Sequence, residues 1–171
     1  MPATRQELFD LMDRLGLAHR THDHPPVFTV AESSAIKFAI PGGHTKNLFL
    51  KDKKGALLLF SALADTPIDL NLLAKTLGMA RFSFGAPALL FETLGVHPGS
   101  VTAFAAINDR LNRVRIGLDA GLLAHSAVNF HPLSNDATTS IAPGDLLTFL
   151  AHTGHRPAIV AFDDNGGSAL C

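Results

Sequence analysis

The run Gly95-Val96-His97-Pro98-Gly99-Ser100-Val101-Thr102-Ala103 sets Gly95, Pro98 and Gly99 just ahead of a β-prone Ser-Val-Thr segment. Glycines let a backbone come close to a ligand and turn successive N–H groups toward it. Such a loop can hold a negative charge, or a developing oxyanion, on main-chain donors alone. Taken by itself, the same run is an ordinary turn. Lys46 follows Gly42-Gly43-His44-Thr45 and opens the apolar stretch Asn47-Leu48-Phe49-Leu50. That is the position of a solvated edge lysine, or of a site residue carried at a strand end. His131, in Asn129-Phe130-His131-Pro132, reads first as a core histidine with satisfied ring nitrogens and second as a site residue.

Other chemistries find less support. Ser100 lies in Pro98-Gly99-Ser100-Val101, which lacks the second glycine of a nucleophile elbow. Cys171 is the sole cysteine and sits in a segment expected to fray, so it is a poor nucleophile and no intramolecular disulfide can form. Gly42-Gly43-His44-Thr45-Lys46 is not a phosphate-binding P-loop, because Asn47 stands where a magnesium-binding hydroxyl is required. His19, His22 and His24 cluster with Asp23, and alternate strand positions would bring His22 and His24 to one face. No His-Glu-x-x-His and no cysteine pair supports a zinc site there. His152 and His155 flank Gly154 at a helix end, where cations suit the helix dipole.

The elements that must position these residues are mostly local. Thr4-x-x-Glu7 is a capping box, with Leu8, Leu11, Met12 and Leu15 at helical spacing before Gly16. A polar strand is expected from Ala18 to His22, and a second box, Thr29-x-x-Glu32, opens a short helix toward Phe38. Lys46–Lys51 and Ala56–Leu63 form a hairpin around Asp52-Lys53-Lys54-Gly55. Asp69 caps a helix ending at Gly78, and a further helix covers Pro87–Leu94. Strands are expected at Val101–Ile107, Val114–Leu118, Ala127–His131, Ala137–Ile141 and Ala158–Phe162, with a helix from Pro143 to His152. Tight turns join several neighbouring strands. The fold class is therefore α/β in the α+β sense, with a mixed, largely antiparallel sheet.

At 171 residues the chain is expected to form one domain over residues 1–162, with 163–171 a frayed tail of Asp-Asn-Gly-Gly-Ser composition. Hydrophobic residues make up 47% and charged residues 17%, which excludes a disordered chain. The net charge of -1 gives no global signal for nucleic acid, so an RNA ligand needs a local patch, and no DNA partner is expected. Lys51, Lys53 and Lys54 on the hairpin are either phosphate contacts or a solvated turn. With no signal-peptide core and no long apolar run, a cytoplasmic protein without membrane contact is expected.

Together, five ordered pieces resemble the freestanding editing domains of the YbaK/prolyl-tRNA synthetase-associated family, in the branch that deacylates alanyl-tRNA(Pro). They are His24–Val30, Thr45–Leu50, Leu94–Thr102, Ile107–Asp109 and Asn129–Leu133, and the resemblance runs from about Thr4 to Phe162. It implies a partly barrel-like sheet with surrounding helices. It also implies a trans-editing hydrolase acting in translation fidelity, with the acceptor end of tRNA(Pro) as partner, prolyl-tRNA synthetase as a possible second, and no cofactor or metal. The family's catalytic loop pattern Gly-x-x-x-Pro falls on Gly99, Ser100, Val101, Thr102 and Ala103, with alanine in the place of proline. By resemblance, Lys46 is the essential lysine, N–H groups of 99–102 hold the ester carbonyl, and a ribose hydroxyl of the terminal adenosine helps activate water. Thr29, Asn47, His131 and Ala103 border the aminoacyl group. Two other readings stay open: a catalytically weakened tRNA-binding module, and a metal-dependent hydrolase built on the His19–His24 cluster.

Overall fold

The computed structural model describes residues 1–26, 35 and 39–171. Helix α1 (Arg5–Arg14) starts as its sequence dictates: the Thr4 hydroxyl accepts from the Glu7 N–H at 3.1 Å, and Leu8, Leu11 and Met12 turn inward. After β1 (His19–Asp23), the hairpin of β2 (Gly43–Asp52) and β3 (Leu57–Leu63) pairs in antiparallel register, Lys46 opposite Ala62 and Leu50 opposite Leu58. Asp69 caps α2 (Leu70–Thr76) by accepting from Asn71 and Leu72. β4 (Phe82–Phe84) and α3 (Pro87–Leu94) follow, the latter with proline in its first turn. β5 (Val114–Asp119), β6 (Val128–Phe130), β7 (Ala137–Ile141), α4 (Pro143–His152), β8 (Ala158–Phe162) and β9 (Ser168–Leu170) complete the described chain.

Among the described residues the strands form one sheet in the order β1-β7-β6-β2-β3-β5-β8-β9, with β4 on the edge of β2. Most pairings are antiparallel; β2–β6, β3–β5 and β5–β8 are parallel. The sheet is thus mixed and largely antiparallel, as expected. β2 changes partner along its length. It meets β6 only through Gly43↔Val128 and His44↔Asn129, then runs beside β3 from Thr45 onward.

Strand alternation divides the hydrophobic residues into two cores. Phe49, Leu57, Leu59, Val114, Ile116 and Leu118 face α1, α3 and α4 on one side. Leu50, Leu58, Phe60, Ala62 and Val160 face α2 on the other. Gly117 belongs where the second core is tightest: a Cβ there would lie 2.5 Å from the Phe60 ring.

Two expectations need correction, and one strand goes beyond them. Residues 103–108 form a 3-10 helix (Ala103–Asn108) and not a strand. Thr102 caps it, its hydroxyl accepting from Phe104 N at 3.3 Å, and Ala103, Phe104, Ala105 and Ala106 are all buried in the first core. A strand would turn every second one outward. Small alanines allow this segment to sink beside Phe104, which meets Phe130 and Phe149 edge-to-face. The expected frayed tail instead turns back as β9, because the Asp163 carboxylate accepts from Asn165 and Gly167 and Ser168 bonds Thr76. β4 was not expected; its ladder to Leu50–Asp52 gives the polar end of β2 a second partner. The helix expected after Thr29 lies outside the described residues.

Candidate active site

β2 carries the chemistry, and alternation sorts its side chains. His44, Lys46, Leu48 and Leu50 point to the side of the second core; Thr45, Asn47 and Phe49 point to the first. The parallel step to β6 extends the first of these faces, since His44 stands beside Asn129. Ser140, paired with Asn129, bonds its side-chain oxygen. His131, directly after β6, shares the parity of Asn129. The structure therefore brings Lys46 and His131 to one face of the sheet. Asn47 does not join them: its amide oxygen accepts from the buried Ser61 at 2.5 Å on the opposite face.

Lys46 is half-buried and its ammonium donates to the carbonyl of Thr66. An ammonium has three donors, and among the described residues this is the one bond that it makes. Thr66 lines a cavity of about 670 Å³ at the carboxyl ends of β3, β5 and β8, together with Gly43, His44, Leu63, Asp119 and His125. Ligand pockets commonly have volumes of about 300–1,000 Å³.

His131 has a fixed tautomer. Its Nδ1 lies 2.9 Å from the Ala137 carbonyl, which can only accept, so Nδ1 carries a proton and the neutral ring offers Nε2 as an acceptor. Burial holds this imidazole below the usual histidine range. The Ala137 bond opposes that shift, and His24, 6.4 Å away ring to ring, adds to it. His131 thus stays neutral under conditions in which an exposed histidine begins to protonate.

The loop 99–102 has the features of a main-chain donor site. Gly99 adopts φ +91 with open space where a Cβ would be. Ser100 N–H closes a turn onto His97. Among the described residues, the Val101 and Thr102 N–H groups find no acceptor, although Thr102 is fully buried. No hydrogen bond among the described residues joins this loop to Lys46, and the 3-10 helix that follows it packs in the first core, behind the face that carries Lys46. Thr29 lies outside the described residues.

Ala103 sits at the first position of the 3-10 helix, where proline is tolerated, and Thr102 before it has φ -155 and ψ 149, the extended conformation a residue preceding proline requires. Ala103→Pro is accordingly expected to raise stability by about 0.4–1 kcal/mol through the unfolded chain. An unchanged or lower urea midpoint would show that the buried ring does not fit.

Two histidines of this cluster, His19 in β1 and His24 just after it, are otherwise engaged. His19 pairs with Asp13 at 2.8 Å, and His24 Nε2 lies 2.9 Å from the Thr138 hydroxyl. Among the described residues no three His, Cys, Asp or Glu side chains gather as metal ligands. No described helix is long and apolar enough to cross a membrane. The sequence reading missed Asn129, Ser140, Thr66 and Asp119. The adjacent Asn129-Phe130-His131 run carried the only local hint, for Asn129.

The model of the aminoacyl-tRNA editing domain matches residues 24–149, which span Lys46, the 99–102 loop and His131. A Xenopus laevis protein called prolyl-tRNA synthetase associated domain-containing protein 1 is 42% identical over 164 residues, covering 93% of this chain and 97% of its own. The prolyl-tRNA editing protein ProX of Acetoanaerobium sticklandii is 31% identical over 152 residues, covering 88% of this chain and 93% of its own. Among solved structures, one proposed as a trans-editing enzyme for prolyl-tRNA synthetase shares the fold, with TM-score 0.68 over 93% of this chain and 98% of that one, at 19% identity.

Proposed function

We propose, since this chain belongs to the aminoacyl-tRNA editing domain family and is accordingly an aminoacyl-tRNA hydrolase, that its substrate is alanine mischarged onto tRNA(Pro). The observation that carries this reading is Lys46: a half-buried ammonium tethered, among the described residues, by the carbonyl of Thr66, which lines a ligand-sized cavity, on the same face as the neutral His131. Ester hydrolysis passes through a tetrahedral oxyanion, which fixed donors stabilise. Lys46 supplies positive charge to the terminal adenosine phosphate or the ester oxygens. The Val101 and Thr102 N–H groups, which meet no acceptor among the described residues, hold the carbonyl, and a ribose hydroxyl of the tRNA helps to activate water. His131 and Thr29 are the proposed surroundings of the aminoacyl group, and His131 Nε2 is an acceptor suited to its ammonium.

On the hairpin the Ala80 N–H foremost, then those of Ala56 and Lys54, hold the Asp52 carboxyl below the usual range, and the Lys54 charge adds to that shift. Lys51, Lys53 and Lys54 are exposed there and are proposed to meet the acceptor-stem backbone, with prolyl-tRNA synthetase as a further partner.

Specificity is steric in this reading. Binding energy alone separates side chains differing by one methylene by only about 10–200-fold, whereas exclusion of a larger one from a closed pocket is stronger. A deacylation panel is the test. Alanyl-tRNA(Pro) is expected to be hydrolysed fastest, seryl- and cysteinyl-tRNA more slowly, and prolyl-tRNA left intact. Equal rates on alanyl- and prolyl-tRNA would rule out the proposed pocket, and no hydrolysis of any member would rule out the substrate class.

A further inference from the structure

We infer that Asp119 is a positioning residue for Lys46, acting through the turn Leu63–Thr66; this rests on the reading of Lys46 given above. Lys46 stands opposite Ala62 on β3, and the same row continues to Asp119 on β5, which pairs with Val160. Lys46 and Asp119 are thus on one face, two strands apart, about 10 Å between backbones. The Asp119 carboxylate is buried, with 3% of the residue exposed. One oxygen accepts from Leu63 N–H at 3.1 Å and from the Thr66 hydroxyl at 2.6 Å, and the other from Gly121 N–H at 2.8 Å. Thr66 N–H in turn bonds the Leu63 carbonyl at 3.1 Å. Both ends of the turn are therefore pinned to one carboxylate, and the turn's last carbonyl is the one that receives the Lys46 ammonium.

Each element of this relay has a chemical reason. Every group reaching Asp119 is a donor, so a carboxylate satisfies all of them, whereas an asparagine would set its own NH2 against one. A lysine side chain is long and flexible, and an ammonium carries no directional fork to fix it. Holding it against a rigid carbonyl removes that freedom before substrate arrives. Misplacing a catalytic group by about 1 Å can cost on the order of 100-fold.

The experiment compares the full chain with Thr66→Val, Thr66→Ser, Asp119→Asn and Lys46→Ala on alanyl-tRNA(Pro), recording kcat, KM and the thermal midpoint. Thr66→Val removes the hydroxyl but keeps the carbonyl. It is expected to lower kcat on the order of 10–100-fold with KM little changed. Thr66→Ser, which restores the donor, should recover most of that loss at a similar thermal midpoint. Asp119→Asn should follow Thr66→Val; if it fails to fold, the Thr66 pair decides. Wild-type kcat in Thr66→Val, alongside an inactive Lys46→Ala, overturns this inference alone. Full activity in Lys46→Ala removes the underlying reading, and this inference with it.

Discussion

Lys46→Ala is expected to slow deacylation of alanyl-tRNA(Pro) on the order of 100–1,000-fold, the usual effect of deleting one fixed donor to a developing oxyanion. Three features lead to this magnitude. The ammonium is half-buried, so its charge acts in a medium less screening than water. Its one tether among the described residues is a neutral carbonyl and not a carboxylate, so the ammonium is not held in a direct ion pair there. The carbonyl that holds it also belongs to Thr66, a residue lining the cavity. The split between kinetic constants reports its role. If Lys46 meets the ester oxygens as charge develops, kcat falls and KM holds. If it grips the adenosine phosphate equally in ground and transition states, KM rises and kcat holds. An unaltered kcat/KM, with the circular dichroism of the folded chain intact, would remove Lys46 from the mechanism.

The largest expected effect on stability lies far from that lysine. Asp109, just before β5, is 2% exposed in its side chain and accepts from Arg113 N–H and Val114 N–H, each at 2.9 Å, and from His155 Nε2 at 2.8 Å. His155 is itself 4% exposed, and its Nδ1 lies 2.9 Å from the Thr153 hydroxyl at the end of α4. One carboxylate thus joins the start of a central strand to the end of a helix. Asp109→Ala strands two backbone donors and a buried imidazole, a loss of about 3–5 kcal/mol. Domains have only about 5–15 kcal/mol in total, so the thermal midpoint should fall by roughly 10 °C. Asp109→Asn keeps an acceptor and should lose less. A urea-unfolding loss below about 1 kcal/mol for Asp109→Ala would contradict the network read from these distances.

Much of the fold was legible because its signals are local. Thr4 and Asp69 cap the helices that their sequences announce, Pro87 opens α3, and the Asp52–Gly55 turn closes the expected hairpin. The 3-10 helix was hidden because Val101 and Thr102 favour strands, whereas the burial of Ala103–Ala106 is decided by Phe130 and Phe149 from distant parts of the chain. The site divides in the same way. Lys46 stood out at a strand end, but its company did not: Thr66 reaches Asp119 across 53 positions, and no periodicity connects them. That Lys46 and His131 share a face follows only from the register of Gly43 with Val128. Asn47 illustrates the converse, since neighbours within a strand point apart however close they stand in sequence.

The change of partner along β2 has a mechanical consequence. His131 is borne by the leaf β1-β7-β6 and Lys46 by the leaf that continues through β3, β5 and β8, and two residue pairs of ladder are the seam between them. Side chains stitch that seam: Thr45 donates to the Asn129 carbonyl at 2.7 Å, and the Asn129 amide to that of Pro41 at 3.1 Å. How the imidazole and the ammonium stand relative to each other is therefore fixed by this short ladder and by the side chains that stitch it, not by a continuous run of paired strand.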